Sequence, residues 1–554
     1  MSAFNKPGVR PRTTSKVTTT GTTQTALGAS GFTRSPLSDL YLLSVSNLVT
    51  AEMFHEGKDP RNERYVELLR QTALLDQENV TEMLPWLRSD GYMRSAAILG
   101  AAEAAKALCD QHRYDGVEDM VDGVLQRADE PGEFIAYWFT IAGKAWPKRY
   151  MAVRRGVARA VTRLYSEFSY AKWDKTDRDL RFADIIEIVH PAPKDNRQSD
   201  LFRYILDRRH SRSGTVTDAM KMTRAVKQWR SLAETSPRDS RLLQPEVIRE
   251  AGLAWENILS ALGSKVDKKV LWEAATHIMA PGALLKNLRN FDENGISDAA
   301  ADRVAAVLMD GERVRKAKVF PYQFLAAYRA APSLRWGHVL ERGLAASLEN
   351  VPFLRGKTLV LVDRSPSMFP GHAQSTPSKG PISVADQAAL FGVSLAVKSE
   401  DVTLVEFGGT SRKINVPRGA SVLKTVDSFT PAKGIPYTDI PAAVKANFGP
   451  QFDRVIIITD EQSRPGCLHT MERRGNYYYR GPEIGIDNLI PAKVPVCIWN
   501  MAGYSASILK TGGTNRHCFG GLSDASFNLV EELENRKNAP WPWKVKKTPA
   551  ASRA

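Results

Sequence analysis

From Ser38 to about Ala346, apolar residues recur at three- and four-residue intervals, the spacing that lines one face of a helix. Leu40, Leu43, Val45, Leu48 and Val49 begin one stripe, Ala96, Ala97, Ile98 and Leu99 mark another, and Val153, Val157, Ala160, Val161 and Leu164 a third. Many short amphipathic helices in succession predict stacked helical pairs, although no crisp sequence repeat is visible. After about Leu354 the texture changes. Short Val/Ile-rich runs at 359–362, 402–407, 455–459 and 494–499 are separated by helical stretches such as 384–397. That alternation predicts a parallel sheet flanked by helices. The first 35 residues are polar and Thr-rich, with little to bury, and predict disorder. The expected division is therefore a tail at 1–35, a helical domain at 36–350, an α/β domain at 355–538 and a basic tail at 539–554.

The run Leu359–Val362 ends directly in Asp363-Arg364-Ser365-Pro366-Ser367. One carboxylate and two hydroxyls at alternate positions of a tight loop are all oxygen donors, the kind that Mg²⁺ prefers, with waters or a partner's oxygen completing its shell. Thr438 and Asp460 supply two further oxygen donors at loop positions, Asp460 at the end of another apolar run. In an open α/β sheet, ligands bind at the carboxyl ends of the strands, where Asp363 and Asp460 are expected. The competing reading is a Ser/Pro turn that binds no metal.

The constellation resembles the metal-ion-dependent adhesion site of von Willebrand factor A domains. By that resemblance Asp363, Ser365, Ser367, Thr438 and Asp460 would surround one divalent cation, most readily Mg²⁺, and leave a position for a partner's acidic group. This chain departs from the pattern in two places. Arg364 and Pro366 fill the variable slots, where their side chains can point away, and Pro436-Tyr437 stands where small residues often precede the Thr.

Composition narrows the class. The chain of 554 residues is 43% hydrophobic and 25% charged, as in globular proteins, and is long enough for two or more domains. No apolar run approaches the ~20 residues that span a bilayer, and no apolar signal-peptide core precedes the Thr-rich start. Four dispersed cysteines (Cys109, Cys467, Cys497 and Cys518) form no C-x-x-C pair and suit a reducing cytoplasm, the expected location. The formal charge is +15, and residues 144–230 alone carry 21 Lys and Arg against 10 Asp and Glu. Such concentration points to a phosphate-backbone partner, the alternative being a merely solvated basic face.

Within that segment Arg155, Arg159 and Arg163 recur every four residues beside Arg154, a basic ridge on one helix face that could track a nucleic-acid backbone. Lys172, Lys175, Arg178 and Arg181 follow, with Trp173 and His190 as groups able to stack on unpaired bases. For Trp173 and His190 the alternatives are a packing ring and a structural histidine.

The segments Asp184–Pro191, Met279–Leu288 and Val319–Leu325, followed by an A domain, resemble in order the TROVE module of the Ro autoantigen family and its bacterial Rsr relatives. The resemblance implies a ring of HEAT-like helical repeats (TROVE) closed by a doubly wound α/β A domain. It implies binding of small noncoding Y-like RNA on the outer basic surface, with single-stranded 3′ ends of misfolded RNAs passing through the ring. Lys172, Lys175 and His190 resemble the outer contacts. A partnership with an exoribonuclease, polynucleotide phosphorylase in bacterial relatives, is a further implication. No G-x-S-x-G or Walker loop is present, so the expectation is an RNA-binding protein in RNA quality control rather than an enzyme. The alternatives are a metal-dependent protein-interaction scaffold without RNA binding, and a nuclease using Asp363 and Asp460.

Overall fold

The computed structural model describes residues 12–46, 56, 58–175, 177–331, 333–348, 351–369, 382–431, 434–465, 469–474, 477–522, 525–535 and 537–545. The helical region runs from the helix Pro36–Ser46 to the helix Gly337–Ser347, and successive helices pack pairwise. Its stripes are those of the sequence: Val153, Val157, Ala160 and Val161 are buried on the helix Met151–Leu164. That helix lies close to Val117–Val124, and a Cβ on Gly156 would come within 2.7 Å of the Glu118 carbonyl oxygen. Only glycine permits this approach, which brings the acidic residues of one helix beside the arginines of the other.

Among the described residues the strands are β1 (Thr19–Gln24), β2 (Ser30–Arg34), β3 (Lys357–Asp363), β4 (Asp401–Phe407), β5 (Ser411–Ile414), β6 (Arg454–Thr459), β7 (His469–Arg474), β8 (Tyr477–Glu483), β9 (Val496–Asn500), β10 (Ala506–Ser507) and β11 (Arg516–Gly520). A six-stranded sheet has the order β11-β9-β6-β3-β4-β5, parallel except for the edge strand β5. From β3 the chain winds outward first through β4 and later through β6, so the order reverses at β3. The crevice at such a reversal is where open α/β sheets bind ligands.

Strand β3 divides its side chains between two cores. Leu359 and Leu361 join a cluster that also holds helices from Leu40 to Met220, whereas Val360 and Val362 join one with helices from Ala275 to Leu354. A third cluster, Val226 to Leu271, fills the middle of the helical region. The helical region thus starts on one face of the sheet and finishes on the other. The helix Pro36–Ser46 touches β11, and the helix Pro321–Ala330 touches the A-domain helix Val384–Lys398. Early and late helices also meet directly, through the Lys318 ammonium on the Ser89 carbonyl at 2.7 Å.

Residues 12–35, expected to be disordered, are instead a folded part of the A domain. β1 and β2 form a hairpin, and β2 pairs with β10, some 470 residues later. Thr13 and Val17 are buried, and the Thr13 hydroxyl lies 3.0 Å from His517 Nε2. The β-branched threonines that read as low complexity favour strands once an edge is available. Residues 1–11 lie outside the described set. At the other end, 539–545 fold back as well: Trp541 stacks on Trp543, and the Trp543 indole donates to Asn79 at 3.0 Å. Residues 546–554 are outside the described set. Among the described residues, no helix is long and apolar enough to cross a membrane, and Cys109, Cys497 and Cys518 are unbridged.

Candidate functional sites

The D-x-S-x-S residues sit where β3 ends, in a loop that closes on itself. The Ser365 amide donates to Asp363 Oδ1 at 2.8 Å, and the Ser365 and Ser367 hydroxyls are 3.1 Å apart. Pro366 opens a short 3₁₀ turn, Pro366–Met368. Arg364 does point away from the donors, into a buried niche. It donates to the Thr430 carbonyl, approaches Asp386 at 3.7 Å and lies over Phe369 and Phe429.

Three loops converge, and each is tied to the other two. The Ile435 amide donates to the Arg364 carbonyl at 2.8 Å, joining the Thr438 segment to the Asp363 loop. The Ser463 hydroxyl and the Arg464 amide both donate to the Thr438 carbonyl, each at 3.0 Å, joining that segment to the Asp460 loop. The Thr459 hydroxyl donates to Asp363 Oδ2 at 2.6 Å and closes the triangle. Asp363, Ser365, Ser367, Thr438 and Asp460 are all buried. Tyr437 takes the left-handed backbone expected of the small residue it replaces, with φ +66°, and turns its exposed ring under the Arg464 guanidinium. Thr438 is therefore not displaced to the surface.

Burial, and then the nearby charge of Asp460, push the Asp363 carboxyl up to about 7. Two carboxylates so placed repel each other, and a cation between them would relieve both costs. The donor set is all oxygen, two carboxylates and three hydroxyls, and it fits a hard divalent ion. Among the described residues no cluster of three or more His, Cys, Asp or Glu forms a metal site of another kind.

The basic residues divide into groups that the sequence did not separate. Arg155 pairs with Glu118 at 2.8 Å, Arg159 with Glu118, Asp119 and Asp122, and Arg163 with Asp122 at 2.7 Å. The predicted ridge is thus matched by an acidic helix, and Arg154 beside it is half-buried. Arg178 turns to Asp129 and Glu133, both at 3.5 Å. Trp173 is half-buried, and its ring already carries the Arg127 guanidinium at 4.6 Å and the Lys172 ammonium at 4.9 Å.

Lys172, Lys175 and Arg181 do come together, lining a cleft of about 620 Å³ with residues the sequence reading did not single out: Tyr204, Arg208, Lys227 and Arg230. Lys227 lies 5.0 Å from the Tyr204 ring centre, and Lys227, Arg208 and Arg230 are exposed. Two of the cleft's acids are engaged: Asp174 holds Arg181 and the Phe182 amide, and Glu167 holds Arg197 and Thr223. The signal for the missed pair was present, since Lys227 and Arg230 are three apart and share a helix face. His190 is exposed with φ +48° at the far end of the helix Phe182–Val189 from Arg181. An eight-residue helix separates them by about 12 Å.

Residues 243–336 match the model of the TROVE domain. The fold matches the crystal structure of the Ro (RSR) protein of Deinococcus radiodurans, with a TM-score of 0.58 and 16% identity over 90% of this chain and 100% of that one. No curated protein matches the sequence. The chain therefore carries a match to the TROVE domain at residues 243–336 and shares its overall fold, helical array and six-stranded sheet, with the Ro (RSR) protein.

Proposed function

We propose that this protein binds RNA without acting on it chemically, holding a small structured RNA in the cleft of Lys172, Lys175, Arg208, Lys227 and Arg230. The observation that carries the reading is the cleft itself. Cationic side chains from separate helices converge on a groove of about 620 Å³ that also holds the Tyr204 ring. Such a groove offers phosphates several contacts at once. The TROVE domain and the Ro-type fold support the same conclusion. The finer reading is a Y-like noncoding RNA, 3′ ends of misfolded RNAs as further cargo, a cytoplasmic location, and presentation to an exoribonuclease. Crosslinking and sequencing of RNA copurified from native cells tests it. One abundant structured RNA, lost in a Lys172/Lys175/Lys227/Arg230 alanine variant, is the expected outcome. No enriched RNA with either protein contradicts it.

The A domain supports a second, compatible reading. Asp363, Ser365, Ser367, Thr438 and Asp460 would hold a divalent cation, most readily Mg²⁺. The repulsion between Asp363 and Asp460 favours that reading over a bare turn. The ion would supply an open coordination position for an acidic group of a partner protein. These residues would bind and orient rather than react: their hydroxyls and carboxylates would ligate the ion, while the loop contacts fix their spacing.

A further inference from the structure

The cation site stands on loops that the first residues of the chain hold in place. Glu461, directly after Asp460, has φ +64°, a left-handed conformation that a glutamate adopts only when its surroundings impose it. Its fully buried carboxylate accepts from the Arg34 guanidinium at 2.5 Å, Asn500 Nδ2 at 2.8 Å, and the Ser507 hydroxyl and Ile508 amide at 3.0 Å. Arg34 also donates to the carbonyls of Tyr504 and Ala506. The contacts continue along the loop. The Ala26 amide donates to Gln462 Oε1 at 2.8 Å, and the Thr25 hydroxyl donates to the Ser463 carbonyl at 2.6 Å.

On its other side the same loop reaches Asp363 and the Thr438 segment. The Glu461 amide donates to the Thr459 hydroxyl at 3.0 Å, which donates to Asp363. Ser463 and Arg464 hold the Thr438 carbonyl. The hairpin therefore grips residues 461–463 from outside while those residues set the spacing of Asp363, Thr438 and Asp460 from within.

We propose that the N-terminal hairpin is a clamp that positions the cation site, with Arg34 and Thr25 as its positioning residues. The proposal rests on reading Asp363, Ser365, Ser367, Thr438 and Asp460 as that site. Cation binding and hairpin docking then favour each other, since both select one conformation of the loop. A chain whose hairpin is released loses cation affinity although every donor remains.

The test is Mn²⁺ binding to the full chain, followed by electron paramagnetic resonance, with proteolysis of the N-terminal segment as a second readout. Arg34→Ala risks failure to fold, so the working variant is Thr25→Val with Gln462→Leu, and Asp460→Asn is the control. Wild type should bind one Mn²⁺, Asp460→Asn should lose it, and the clamp variant should bind at least about tenfold more weakly while keeping RNA retention and cooperative unfolding. Mn²⁺ should also slow cleavage within 12–35 in wild type. Unaltered Mn²⁺ affinity in the clamp variant overturns the clamp alone. Absence of Mn²⁺ binding by wild type overturns the cation site, and the clamp with it.

Discussion

In the A domain, five buried oxygen donors stand on three loops that hydrogen-bond to one another, while in the helical region the cleft cations are exposed or half-buried, come from several elements, and are joined by little but their common surroundings. A buried site of the first kind is built cooperatively, so removing one group disturbs the rest. An exposed cleft of the second kind adds its contacts one by one, each worth little to folding and more to a charged ligand. The contrast explains why the A domain recruits residues from the beginning of the chain, through Arg34 and Thr25, whereas the cleft is assembled within residues 167–260.

The largest expected effect comes from the buried network. Arg34→Ala leaves the Glu461 carboxylate inside without its cation and should cost about 3–5 kcal/mol, measured by denaturant unfolding. A loss within the range of surface substitutions would erase the contrast. Next, alanine at Lys172, Lys175, Lys227 and Arg230 together should leave stability almost unchanged but weaken RNA binding on the order of a hundredfold, about 2.7 kcal/mol, measured by filter binding at fixed salt.

The paired carboxylates give a pH signature. Asp363 is raised to about 7, above its ordinary range, by burial and by Asp460. The cation-free folded protein therefore holds a proton that the unfolded chain has released, and stability falls as pH rises from about 4 to about 7. Asp460→Asn should flatten that fall in thermal unfolding without divalent ions. Mg²⁺ should raise the melting temperature of wild type most above pH 7, and chelation should reverse it. Unchanged melting with Mg²⁺ at pH 8 would contradict a cation site here. A smaller effect concerns His517, which burial and then Arg516 hold down to about 4. Folding keeps this ring neutral, so the stability it contributes is lost as pH falls from about 6.5 towards 4. His517→Gln should reduce that slope in the same unfolding series.

What the sequence made legible follows the same division. The D-x-S-x-S loop could be read because its donors lie within five positions after a strand, and local spacing fixes a loop. The partner Asp460 could be read because it directly ends the apolar run of β6, whereas Thr438, in a loop ahead of the helix Ile440–Asn447, was reached only through the resemblance of the whole constellation. The N-terminal hairpin could not, since β2 finds its partner in β10, two residues long and invisible to any pattern. The arginine ridge was read correctly as a helix face but wrongly isolated. Glu118, Asp119 and Asp122 lie about 40 residues upstream on the helix packed against it, and only tertiary contact shows that they pair. His190 and Arg181, near in sequence, are held apart by the length of one helix.

The most direct test compares RNA affinity across a salt series for wild type, the cleft variant and an Arg155/Arg159/Arg163 alanine variant. Each single-strand phosphate contact contributes a slope of about −0.7 in log K against log salt. The cleft variant should lose affinity and flatten the slope by two or more such contacts (about 1.4 or more), while the ridge variant keeps both affinity and slope. Equal losses in the two variants, or a loss confined to the ridge, would contradict the assignment of RNA to the cleft.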